Sequence, residues 1–214
     1  MDALEALMTT RAMRRLSDRD VTESDIRLCL EAAQQAPSGG NVQPQQYVVI
    51  RDQQMRELVG DVYRRAYDRY EATLPEPAGM TGSRLESYLR TRNASRHLAE
   101  HISEAPVLIM FLQPIIPWGG IDDDGPLDIG RLDASVYPAV QNFCVAARSL
   151  GLGTTLTTVI RVLQAEALQA IGAPDGRFEI AALVPVGYPT GSFGRAPRRP
   201  VEQAIHYDRW GEKR

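Results

Sequence analysis

The chain has 214 residues, 43% of them hydrophobic and 24% charged, the size of one globular domain with a sizeable core. Its net charge of -3 argues against a dedicated nucleic-acid binder, and no run approaches the ~18 apolar residues that a membrane helix needs. The first ten residues carry Asp2 and Glu5 without a basic stretch, so they do not read as a signal peptide. Cys29 and Cys144 each sit in an apolar helical pattern and are expected to be buried free thiols of a cytoplasmic protein. Lysine occurs once, at Lys213, which removes P-loop and Schiff-base enzymes.

In chain order, Thr22 to Ala36 reads as a helix capped by Thr22, with Ile26, Cys29, Leu30 and Ala33 on its apolar face. It stops at Pro37, before the loop Ser38-Gly39-Gly40-Asn41. Tyr47 to Ile50 reads as a strand. Asp52 to Ala72 reads as a helix with Met55, Leu58, Val59 and Val62 inside. A Pro/Gly break follows, then a polar helix over 84–102. Pro106 to Leu112 reads as a buried strand, and 114–130 as a loop. Leu132 to Leu150 reads as a helix of about 20 residues, ~30 Å long. Pro138 predicts a kinked or delayed first turn, and Gly151 supplies the stop. This helix is apolar on two sides, as a central or interface helix would be. Thr154 to Ile160 reads as a strand, Val162 to Ile171 as a short helix, and Glu179 to Val186 as a strand. The tail from Gly191 has little periodicity. This order predicts an α+β or mixed α/β layer.

Several familiar signatures fail. Gly151-Leu152-Gly153 lacks the third glycine of a dinucleotide fingerprint and follows a helix. There is no G-x-S-x-G. His97 and His101 have a zinc-compatible spacing, but Leu98 stands where a metalloprotease needs glutamate, so a polar helix face is expected. Asp122-Asp123-Asp124 lacks calcium-loop spacing. No metal site and no side-chain acid, base or nucleophile is expected. What remains is arginine. Arg11, Arg14 and Arg15 cluster early, and Arg198 and Arg199 late, all with few acidic neighbours. Their planar forks match phosphate oxygens. The 37–41 loop offers backbone N–H groups, and the threonines at 154, 155, 157 and 158 place donors along an edge.

Four segments, in order, resemble motifs of the nitroreductase-like flavoproteins. Thr10-Arg11-Ala12-Met13-Arg14 resembles their R-S-x-R start. Ala36-Pro37-Ser38-Gly39-Gly40-Asn41 with Gln43-Pro44 resembles their A-P-S-x-x-N-x-Q-P-W loop. Gln141-Asn142, Ala146-Ala147 and Leu150-Gly151-Leu152-Gly153 resemble their Q-N-x-x-x-A-A-x-x-x-G-L-G helix end. Val186-Gly187-Tyr188-Pro189 with Arg198-Arg199-Pro200 resembles their closing G-Y-P and R-K-P. The resemblance runs over residues 6–211. It implies an α+β nitroreductase-like fold: one domain over 1–214, a mixed, mainly antiparallel sheet flanked by helices, a helical lid near 63–96 and a C-terminal arm over 191–214.

The resemblance also implies FMN and a homodimer with flavins at the subunit interface. Carried over residue by residue, Arg11, Ala12 and Arg14 match phosphate and ribityl contacts, with Ala12 in place of the usual serine. Pro37, Ser38, Gly39, Asn41 and Gln43 match a loop that reaches the partner's flavin, with Gln45 in place of tryptophan. Leu156, Thr157 and Thr158 match the segment beside flavin N5. Arg198 or Arg199 matches a late phosphate arginine. The implied activity is two-electron, ping-pong reduction of nitroaromatics, quinones or similar flat acceptors by NADH or NADPH. Reductive dehalogenation of the iodotyrosine deiodinase type, flavin fragmentation, and FMN storage without turnover are the alternatives. Leu156 in place of a threonine, and the missing interior lysine, oppose the first.

Overall fold

A computed structural model describes all 214 residues. Its core is a four-stranded sheet, formed by β1 (Gln46–Ile50), β2 (Val107–Pro114), β5 (Gly153–Thr154) and β6 (Phe178–Gly187) in the order β1-β2-β6-β5. Every ladder in it is antiparallel, and the one parallel pairing is an isolated bridge from Ala12 to Thr154. The fold is α+β, as expected.

The unbroken apolar run of β2 follows from helices on both faces of this sheet. Side chains alternate along a strand. Val107, Ile109 and Phe111 meet α2 (Glu23–Gln34) and α5 (Asp133–Ser149), through Ile26, Cys29, Val140 and Phe143. Leu108, Met110 and Leu112 meet α3 (Gln53–Glu71) and α4 (Gly82–His101), through Val59, Val62, Tyr63 and Leu98. Tyr47, Phe111 and Phe143 join the first layer edge to face, with ring centroids 5.3 and 5.6 Å apart. Cys29 and Cys144 are buried free thiols within it.

The Thr22 hydroxyl accepts from the Asp25 N–H, and the Asp52 carboxylate caps α3 through the Met55 N–H. Pro138 lies within an uninterrupted α5, whose start at Asp133 is tightened by bonds from Ala134 and Ser135 back to Arg131 and Leu132. Leu58 is 48% exposed and not inside, because the buried face of α3 runs through Val59, Val62, Tyr63, Ala66 and Tyr67. A first helix, α1 (Ala3–Thr9), capped by Asp2, was not expected from the sequence. The 114–130 segment is mostly loop, with a minimal hairpin of β3 (Ile121–Asp122) and β4 (Gly125–Pro126).

The largest departure concerns residues 154–160. Strand β5 ends at Thr154, a lone bridge joins Thr157 to Leu183, and a 3₁₀ turn runs over Val159–Leu163 into α6 (Gln164–Ala170). The threonine hydroxyls draw the chain out of the ladder. Thr155 Oγ1 donates to the Met13 carbonyl at 2.8 Å, and Thr157 Oγ1 lies 3.1 Å from the Tyr63 hydroxyl.

Residues 11–16 form a strap over β5. The Met13 N–H donates to the Thr154 carbonyl at 2.9 Å. Gly153 permits this approach: a Cβ there would lie 2.9 Å from Met13 Cβ and 3.2 Å from Leu16 Cδ2. Beyond Gly191 the arm is mostly exposed. Arg148 stacks on Phe193, His206 stacks on Trp210, and Lys213 Nζ donates to the carbonyls of Glu202, Gln203 and Ile205. No helix is long and apolar enough to cross a membrane.

Candidate functional site

Two clefts meet at Arg14. The first is an open groove of about 440 Å³ lined by Arg11, Ala12, Met13, Arg14 and Arg15 of the strap, with Ala94 and Thr190 opposite. Neither Arg11 nor Arg14 makes an ion pair with a carboxylate. Arg15 Nη1 contacts the His97 ring at 3.2 Å. Burial, reinforced by Arg15 and His101, holds the His97 pKa below its ordinary value. The groove is thus a cationic trough with unpaired guanidinium forks, the chemistry of an anion site.

The second cleft, of about 340 Å³, lies between the 155–159 segment and the helices α3 and α4. Tyr63, Tyr67 and Tyr70 enter it from α3 at helical spacing, and Tyr88 and Arg92 from α4. Leu156 and Thr158 close the other wall. Leu156 is 41% exposed, and its N–H has no acceptor in the protein. The Thr157 hydroxyl is committed to Tyr63. Burial pushes the Tyr63 phenol pKa up, against opposing contributions from Thr157 and Arg14, so the phenol is neutral at neutral pH.

Charge in this wall is ordered from behind. Glu71 accepts from Arg92 Nε at 3.2 Å and from the Tyr67 hydroxyl at 3.3 Å, and it pairs with Arg96. Arg96 also bonds Asp68 at 2.6 Å and lies over the Tyr67 ring. The terminal nitrogens of Arg92 are left without a protein acceptor.

The structure therefore brings together Arg11, Ala12, Arg14, Leu156, Thr157 and Thr158 from the expected site. It does not bring in the rest. Pro37, Ser38, Gly39, Asn41 and Gln43 line neither cleft. Their loop packs against Trp118 and the Ser135 hydroxyl, which accepts from the Gly39 N–H. The Ser38 hydroxyl accepts from the Gln43 N–H, and Gln43 bonds Gln34 and Asn41. Gly40, Asn41 and Gln43 all have positive φ, and the latter two are strained there, as at many functional loops. Arg198 donates only to the adjacent Pro197 carbonyl, Arg199 is exposed, and neither lines a cleft. Tyr63, Tyr67, Tyr70, Tyr88 and Arg92 escaped the sequence reading. The spacing of the first three on one helix face was the available signal.

The family profile described as "Nitroreductase family" matches residues 7–188. An Archaeoglobus fulgidus protein provisionally named NADH dehydrogenase/NAD(P)H nitroreductase is 27% identical, covering 98% of this chain and 99% of its own. The crystal structure of a BluB-like flavoprotein from Clostridium difficile 630 has a TM-score of 0.76 at 22% identity, covering 98% of this chain and all of its own. That of an oxidized iodotyrosine deiodinase bound to FMN and 3-iodo-L-tyrosine has a TM-score of 0.75 at 20% identity, with the same coverage. By this match over most of its length, and by a sheet and helix arrangement shared with those structures, the chain belongs to the Nitroreductase family.

Proposed function

We propose that the chain, 1–214 as one unit, is an FMN-dependent oxidoreductase that passes two electrons from NADH or NADPH to flat acceptors such as nitroaromatics or quinones. The observation that carries this reading is Arg14, shared between an arginine trough and an aromatic-walled cleft. A phosphate-tailed, planar cofactor suits that junction. Arg11 and Arg14 would hold the phosphate, with the strap backbone at Ala12 beneath it. Leu156, Thr157 and Thr158 would face the ring, with the exposed Leu156 offering an N–H that has no acceptor in the protein. Flavin, when bound, supplies the two-electron chemistry; the protein supplies position and electrostatics. The tyrosine wall excludes water from the acceptor, and Tyr63 fixes the 155–159 segment by holding Thr157. No side chain is assigned as acid or base.

The reading includes a homodimer. The 37–43 loop and Arg198 or Arg199 lie away from the clefts of their own chain, so a partner's copy would bring them to the cofactor. Exposed apolar side chains on α1 (Leu4, Leu7), at Ile121 and at Trp210, which is 90% exposed, give such a partner surface to cover. Native purification tests both parts. The expected result is a yellow dimer in sedimentation that releases FMN on denaturation and is bleached anaerobically by NADH or NADPH. A colourless monomer that takes up no added FMN refutes the reading.

A further inference from the structure

The charges lining the acceptor cleft are one-sided. Arg14, which the cofactor phosphate would occupy, and Arg92 line it with Tyr63, Tyr67, Tyr70, Tyr88, Thr91 and Ser95, and no aspartate or glutamate does. Glu71 stands behind Arg92 and is saturated by Arg92, Arg96 and Tyr67, with a side chain only 14% exposed. It fixes Arg92 by Nε and leaves the two terminal nitrogens unspent. Such a pair of parallel N–H donors matches the two oxygens of a carboxylate end-on. Tyr70 and Tyr88 offer ring surface to one aromatic ring, with the buried Tyr63 and Tyr67 behind them, and a cleft of about 340 Å³ that also takes the edge of the cofactor ring suits a monocyclic ligand. No carboxylate in the lining would pair with an ammonium group, and Arg92 would repel it.

We propose that the acceptor cleft is built for aromatic monocarboxylates, with Arg92 as the residue that recognises the carboxylate, and that it discriminates against aromatic ammonium and zwitterionic ligands. The inference rests on the oxidoreductase reading and narrows its substrate class. For a nitrobenzoate probe the reaction balances as Ar–NO₂ + NAD(P)H + H⁺ → Ar–NO + NAD(P)⁺ + H₂O. One N–O bond breaks, the oxygen leaves as water, and the two electrons come from the nicotinamide. The deiodinase alternative needs a site for a zwitterionic amino acid, which this lining does not offer.

The test uses the FMN-loaded protein and reads binding as well as turnover. Isothermal titration with benzoate, benzamide and benzylammonium is expected to give benzoate at least tenfold tighter than either of the others. Steady-state reduction is expected to give 4-nitrobenzoate a KM at least tenfold below that of 4-nitrobenzamide. Arg92→Gln should abolish both preferences while leaving FMN content unchanged, because Glu71 keeps Arg96 as partner. Arg92→Lys, which keeps the charge without the fork, should restore part of them. Equal or tighter binding of the neutral or cationic ligand, or an Arg92→Gln protein that keeps the preference, overturns the proposal and leaves the flavin reading standing. A protein that binds no FMN overturns both.

Discussion

Replacing Gly153 with alanine should lift the arginine strap from the sheet. The new Cβ would meet Met13 Cβ at 2.9 Å, Leu16 Cδ2 at 3.2 Å and Pro189 Cβ at 3.3 Å, and the first and last of these are fixed to their own backbones. Overpacking of this kind costs ~1–3 kcal/mol, against an unfolded-state gain of ~0.4–1 kcal/mol for Gly→Ala. The net loss is therefore about 1–2 kcal/mol, or a fall of roughly 2–8 °C in Tm for a chain of this size. Displacing the strap also strains the Met13–Thr154 bond and misaligns Arg11 and Arg14. Losing one charge-assisted hydrogen bond, ~1.5 kcal/mol, weakens FMN about tenfold. Urea unfolding followed by circular dichroism, with FMN affinity from fluorescence quenching, reads both effects. Gly194→Ala is the control, since a Cβ there meets nothing within 4 Å and stability should stay within ~0.5 kcal/mol. A Gly153→Ala protein as stable as the parent, with the same FMN affinity, would refute the reasoning.

Tyr63→Phe should cost about 1–2 kcal/mol by leaving the buried Thr157 hydroxyl without its 3.1 Å partner, and should loosen flavin retention; unchanged urea midpoint and FMN content would count against the role given to Tyr63. The Cys29 thiol is pushed from 9.0 to about 12 by burial, with Asp25 and Cys144 adding to it. Because that folded pKa is raised, its stabilising effect is complete below pH 9 and is lost as pH rises from 9 toward 12, by up to ~1.4 kcal/mol per pH unit. Cys29→Ala should flatten that alkaline slope, and an unchanged slope would contradict it. His97 has a lowered pKa, so its contribution is present above pH 6.5 and is lost as pH falls below that value. An NMR titration should place His97 below 6.5, with Arg15→Ala moving it upward; a titration above 6.5 would remove the proposed Arg15 contact.

The elements that were legible in the sequence are those whose signal is local. Thr22 sits where a capping hydroxyl belongs, and the β2 run is apolar because both of its faces are covered. The strap arginines were legible as motif residues, since order along the chain preserves them. The 154–160 segment misled because β propensity counts side-chain shape and not where the hydroxyl bonds: Thr155 turns to Met13 and Thr157 to Tyr63. The acceptor cleft was hidden for a different reason. Tyr63 and Tyr67 are core residues by burial, and Arg92 belongs to a helix with no clear apolar face. Only the pairing of α3 with α4 sets them around one space. The 37–43 loop and Arg198 were legible as motif residues, yet they line neither cleft of this chain, and only the proposed homodimer would bring them to one.

The hook of the C-terminal arm has a practical consequence. The chain contains one lysine, so an amine-selective reagent has one side-chain target, the Nζ of Lys213, beside the α-amino group. These can be separated in a mass spectrum by proteolysis. The Nζ is held by three carbonyls, the shortest contact being 2.6 Å to Ile205, so the rate at which it is acylated reports how often the hook opens. That rate, compared between dilute and concentrated samples and with or without flavin, turns the arm into its own gauge of what it rests upon. No engineered label is needed, and cross-links from Lys213 would name the surface beside it.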